Sequence, residues 1–107
     1  MSDVLTRLAR VIESRVDGDP SVSHVASLIS EGPRKCTEKF GEEAIEAIVA
    51  SSGNETDSLV GEAADVMFHL LVMLAAHGIR LEDVLAELER REGKSGIREK
   101  QERHGSG

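Results

Sequence analysis

Apolar residues recur at three- and four-residue spacing early in the chain, at Val4, Leu5, Leu8, Val11, Ile12 and Val16, until Asp17-Gly18-Asp19-Pro20 interrupts them. That spacing lines one face of a helix turning about 100° per residue. A short second helix carries Val25, Leu28 and Ile29, takes Ser21 or Ser23 as its cap and ends at Gly32. Pro33 suits a first helical turn and opens a third helix that runs to about Ser52, with Gly53 as its stop. Thr56 or Asp57 caps a fourth, which reaches about His77 with Gly78 just beyond, and a fifth spans about Glu82 to Arg91. Period-two alternation and β-rich runs are absent, so the predicted fold is all-α, with about five helices. From Gly93 onward the chain is polar, charged and punctuated by glycine, which by composition makes residues 93–107 a frayed tail. No repeat or linker divides the chain, and one domain over 1–107 is expected.

The fourth helix contains a conflict. Leu59 to Ala76 is apolar almost all round, yet it carries Glu62 and Asp65, about 60° apart on the wheel and flanked by Val66, Val72 and Met73. Buried carboxylates cost several kcal/mol each unless cations or donors compensate them. A second acidic cluster, Glu42, Glu43 and Glu46, falls within an arc of about 100° on the third helix. Magnesium takes oxygen ligands and shares them with waters and phosphates, so two such clusters on neighbouring helices can hold a cation against a polyphosphate. A structural salt bridge is the alternative. Lys35 and Lys39 share a stripe with Glu42 and Glu46; they either hold a phosphate chain or form intrahelical pairs, Lys35 with Glu38 and Lys39 with Glu43. His69 follows Asp65 by one helical turn and either supports the acidic face or packs as a core residue.

Composition narrows the partners. A 107-residue chain with 39% hydrophobic content builds a modest core, and an almost wholly apolar helix in so small a protein predicts completion against a second subunit. The formal net charge of -7 argues against nucleic acid and anionic membrane, which need a basic face. The single cysteine, Cys36, makes neither an internal disulfide nor a zinc site, and a reducing cytoplasm fits it. No signal peptide is evident at the N-terminus, and the apolar stretch at about 66–76 is too short for a bilayer, so a soluble protein is expected. Phe40 and Phe68 are the only aromatics, which leaves no platform for stacking bases and assigns both rings to the core.

Lys39-Phe40-Gly41-Glu42-Glu43-Ala44-Ile45-Glu46, followed by Glu62-Ala63-Ala64-Asp65-Val66-Met67-Phe68-His69-Leu70-Leu71, resembles the phosphoribosyl-ATP pyrophosphohydrolases, the histidine-biosynthesis family of the all-α MazG-like pyrophosphohydrolases. The E-x-x-D and E-E-x-x-E pair is common to that superfamily. The G-E-E-A-x-E form, the F-H-L-L run and Glu87-Leu88-x-x-Arg91 with Lys94-Ser95-Gly96-Ile97-x-Glu99-Lys100 resemble the one family, across essentially the full chain. Glu38 stands where the family often has a second lysine beside Lys39, and Phe68 replaces a common tyrosine.

The resemblance implies a four-helix-bundle-like MazG-type fold completed by oligomerisation, with a homodimer favoured. It implies cytoplasmic hydrolysis of phosphoribosyl-ATP between its α- and β-phosphates, with Mg2+ or Mn2+ in its place, to give phosphoribosyl-AMP and pyrophosphate. Glu43, Glu46, Glu62 and Asp65 would ligate metal, with Glu43 also catalytic, and Glu42 would be a further ligand or would orient or deprotonate the attacking water. Lys35, Lys39, His69, Lys94, Arg98 and Lys100 are the candidate substrate contacts. A cyclohydrolase domain, fused in some relatives, has neither the length nor the cysteines it needs here. Two other readings stay open: a MazG-like housecleaning nucleoside triphosphate pyrophosphohydrolase, against which Lys94-Ser95-Gly96 argues, and a non-enzymatic helical oligomer.

Overall fold

A computed structural model describes residues 3–92 and, among them, has five α-helices and no strand. They are α1 (Asp3–Ser14), α2 (His24–Ser30), α3 (Pro33–Ser52), α4 (Thr56–Ala76) and α5 (Leu81–Arg91). Ser23 rather than Ser21 caps α2, its hydroxyl accepting from the Ala26 amide at 3.1 Å. Ser21 instead turns back on Asp19, donating to it from both backbone (2.9 Å) and hydroxyl (2.7 Å), which holds the Asp19 carboxyl below its usual range. Neither Thr56 nor Asp57 caps α4. The connection from α3 is so short that Asn54 takes a left-handed backbone (φ 58°), the Glu55 amide donates to the Ala50 carbonyl at 3.0 Å, and Thr56 is already helical. Helix α5 starts at Leu81, one residue early, because the Asp83 carboxylate accepts from the Arg80 amide at 3.0 Å.

This tight connection folds α3 back along α4 as an antiparallel hairpin, the most extensive helix contact, and α1 and α2 pack across α4. The core joins Ala9 and Ile12 of α1, Val25 and Leu28 of α2, Cys36 of α3, and Leu71, Val72 and Ala75 of α4. Cys36 is structural: its thiol donates to the Leu28 carbonyl at 3.3 Å, and burial, reinforced by the Glu31 charge, pushes its pKa up. Glu13 fastens α1 to the start of α5, accepting from the Arg80 guanidinium (3.3 Å) and the Leu81 amide (3.4 Å).

Taken whole, α4 is long and apolar enough to cross a membrane by length and composition, a reach that residues 66–76 alone lack. Glu62 and Asp65 sit near its middle, where a charge costs about 2.5–3.5 kcal/mol in a bilayer. Helix packing accounts for part of its apolarity, since Leu71, Val72 and Ala75 are core residues. The remainder is exposed. Val60 and Met67 of α4, with Ile45, Ile48 and Val49 of α3, present apolar surface that is exposed among the described residues.

Ile12 is only 1% exposed, so Ile12→Ala should lower stability by about 2–5 kcal/mol through lost contacts and the resulting cavity. Val22→Ala, at a position 81% exposed, should change it by less than about 0.5 kcal/mol. Urea denaturation of both variants checks the pair, and equal effects would contradict this core.

Candidate active site

Geometry of the hairpin decides which acids meet. Glu46 and Glu62 each stand eight positions from Asn54, and Glu43 and Asp65 each stand eleven from it, so an antiparallel fold about that residue brings the two clusters into register. Carboxylate oxygens of Glu43, Glu62 and Asp65 lie within 4.8 Å of one another. Glu46 faces the same point, near enough for its charge to act on Glu62.

Glu62 is the centre of the arrangement. Its Oε2 is fully buried and accepts no hydrogen bond. Burial pushes its pKa up, and the charges of Glu46, Asp65 and Glu43 push it further in the same direction. Three carboxylates around Glu62, whose buried oxygen has no donor, make a site for positive charge. Because every donor atom is a carboxylate oxygen, the set suits a hard divalent cation such as Mg2+ or Mn2+ better than one preferring nitrogen or sulfur.

Glu42 points elsewhere. It is exposed and pairs with Lys39 at 3.3 Å, whereas the sequence pattern matched Lys39 with Glu43. Both spacings are reachable on a helix, but Glu43 is drawn into the α4 cluster and leaves the lysine to the outer acid. Lys35 lies 4.0 Å from Glu38, as its spacing predicted. His69 is buried, edge-on to Phe68 with ring centroids 5.0 Å apart, and its Nδ1 has no hydrogen-bond partner. Burial holds its pKa below the usual range, against the opposing influence of Glu43 and Asp65 and with that of Lys39 and His24. Lys94, Arg98 and Lys100 lie outside the described residues.

Residues that sequence reasoning passed over complete the surroundings. A groove of about 300 Å³ runs from Glu46 and Glu62 between Ile45, Val49 and Ala50 of α3 and Glu55 and Ser58 at the start of α4. The signal was present: 55, 58, 62 and 65 follow three- and four-residue spacing and share one face.

Facing carboxylates on an all-helical hairpin are consistent with the all-α MazG-like class. More narrowly, it belongs to the phosphoribosyl-ATP pyrophosphohydrolase family, whose model matches residues 5–92. It is 58% identical over 99 residues to the phosphoribosyl-ATP pyrophosphatase of Roseobacter denitrificans, covering 92% of this chain and 94% of that one. Identity to the Rhodobacter capsulatus protein of the same name is 57% over 96 residues, 90% and 93% of the two chains. With that of Dinoroseobacter shibae it is 56% over 100 residues, 94% and 98%.

A carboxyl whose pKa is raised by folding favours the folded state when protonated and disfavours it once ionised. Metal-free protein should therefore lose stability as pH rises through the elevated Glu62 range, and Glu62→Gln should melt higher than the parent there and flatten that dependence. Thermal melts in excess chelator across a pH series check this; a lower melt for Glu62→Gln throughout would mean that the ionised carboxylate is a structural ion-pair partner.

Proposed function

We propose that this protein hydrolyses phosphoribosyl-ATP to phosphoribosyl-AMP and pyrophosphate, the second step of histidine biosynthesis, in the cytoplasm and with Mg2+ as its cofactor. The observation that carries the reading is the convergence of Glu43, Glu62 and Asp65, with Glu46 beside them, about a buried oxygen that has no donor, in a chain of this family. Glu43, Glu46, Glu62 and Asp65 are the residues that would hold the cation. A bound divalent ion supplies Lewis-acid polarisation of the phosphoryl oxygens and offsets charge developing on the departing pyrophosphate.

The chain's own groups do the remainder. Glu42, on the rim beside Lys39, orients the attacking water and accepts its proton as the water oxygen bonds to one of the two phosphorus atoms, whose bond to the α–β bridging oxygen breaks so that this oxygen leaves on the other fragment. Lys39 and Lys35 bring positive charge to the phosphate chain, and the exchange of Glu42 for phosphate at Lys39 substitutes one anion for another. Buried His69 lies near enough for the charges of Glu43 and Asp65 to act on it. No covalent intermediate is required, and Cys36 is turned into the core against Leu28.

Turnover should vanish in excess EDTA and return with Mg2+ or Mn2+, and phosphoribosyl-ATP should be hydrolysed far faster than ATP, dCTP or dUTP. A pyrophosphate-release assay decides both: undiminished rates in EDTA would remove the cation, and preference for a simple triphosphate would make the protein a housecleaning enzyme.

The uncovered apolar faces of α3 and α4 support a homodimer. Ile48 and Val60, 62% and 73% exposed in the single chain, are the residues a partner copy would bury. The melting temperature should then rise with protein concentration. A one-chain mass by light scattering at micromolar concentration, with an unchanging melt, would refute association.

A further inference from the structure

The site has two unlike ends. Along α3, Lys35 and Lys39 precede the acids, Ile45 lies between Glu43 and Glu46, and Val49 and Ala50 follow them, and the rise of about 1.5 Å per residue separates Lys39 from Val49 by roughly 15 Å. At the far end, the groove of about 300 Å³ has an apolar wall from α3 and an opposite edge of Glu55 and Ser58, and it opens onto Glu46 and Glu62. Among the described residues, no lysine or arginine lines it.

We propose that the substrate lies along the hairpin in one direction, with its pyrophosphate end toward Lys39 and its nucleoside half in the groove, where Glu55 and Ser58 determine specificity. The proposal rests on the phosphoribosyl-ATP reading and adds the direction of binding and two contacts. Charge sets the direction. A pyrophosphate group in the groove would face the Glu46 and Glu55 carboxylates without a cation from the described lining, whereas at the other end it meets Lys39. The groove offers what a nucleoside needs. Ile45 and Val49, both 61% exposed, lie against the faces of base and sugar. The Glu55 carboxylate accepts from sugar hydroxyls, and the Ser58 hydroxyl both donates and accepts. A volume near 300 Å³ is at the small end for ligand pockets, enough for the nucleoside portion but not for the whole substrate. Glu62 then stands at the junction, where the α–β bond crosses from one end to the other.

The two products bind separately, which makes the direction measurable without turnover. Titration calorimetry with Mg2+ present would compare pyrophosphate and phosphoribosyl-AMP on the parent protein and on Ser58→Leu, Glu55→Gln and Lys39→Met. Ser58 and Glu55 are exposed, so their substitution leaves the core intact, and circular dichroism confirms the fold of each variant. Ser58→Leu, which fills the groove, should weaken phosphoribosyl-AMP at least tenfold, and Glu55→Gln several-fold, with pyrophosphate unchanged within twofold. Lys39→Met should weaken pyrophosphate more than phosphoribosyl-AMP. With phosphoribosyl-ATP, Ser58→Leu should raise KM far more than it lowers kcat. The reverse pattern, an equal effect on both products, or no effect of Ser58→Leu would overturn the direction while leaving the hydrolysis reading intact. A parent protein that binds neither product, or fails to hydrolyse phosphoribosyl-ATP, would overturn both together.

Discussion

The hairpin of α3 and α4 forces Glu62 into a position that its own chemistry resists. One of its oxygens is sealed from water with no donor, and Glu43, Glu46 and Asp65 crowd the same point. An isolated acid in such a place would shed its charge. Packing elsewhere therefore has to hold the two helices together, and the core of Ile12, Val25, Leu28, Leu71, Val72 and Ala75 does this by pressing α1 and α2 onto the far half of α4. The acids occupy the half nearer the hairpin connection, where burial is shallower. Stability and charge are thus concentrated at different ends of one helix.

The division explains why α4 has the composition of a membrane span without needing a membrane to account for it. Towards Ala76 its apolar residues fill the core, and towards Thr56 they flank acids that face α3. Val60 and Met67 answer to neither demand. Like Ile48 of α3, they are exposed apolar side chains among the described residues. Glu13 illustrates the opposite economy, with one carboxylate tying the Arg80 guanidinium and the Leu81 amide and so joining α1 to α5 across a wide gap in sequence.

Lys39 shows how a single pairing sets the character of the rim. By holding Glu42 outward, it keeps one acid of the first cluster out of the crowd around Glu62 and places a cation at the edge of an otherwise negative site. Such an exposed pair contributes little to stability. Its importance is positional: it sets an ammonium group beside the acids around Glu62.

Much of this was legible in the chain itself. Helical periodicity, Pro33, Gly53 and Gly78 determined the helices to within a residue or two, because backbone hydrogen bonding and side-chain periodicity are local properties. The same periodicity put Glu43 with Glu46, and Glu62 with Asp65, on common faces. What it left undecided was everything that depends on the depth and register of one helix against another. That Glu62 rather than Asp65 has a buried oxygen without a donor, that Glu43 turns inward while Glu42 takes Lys39, and that Glu55 and Ser58 edge a groove all follow from the three-residue connection through Asn54. Capping misled at that connection too, since Thr56 has the right chemistry for a cap but the chain had no spare residue to leave outside the helix. Local sequence determines which way a side chain faces on its own helix; only the packed hairpin decides what it meets there.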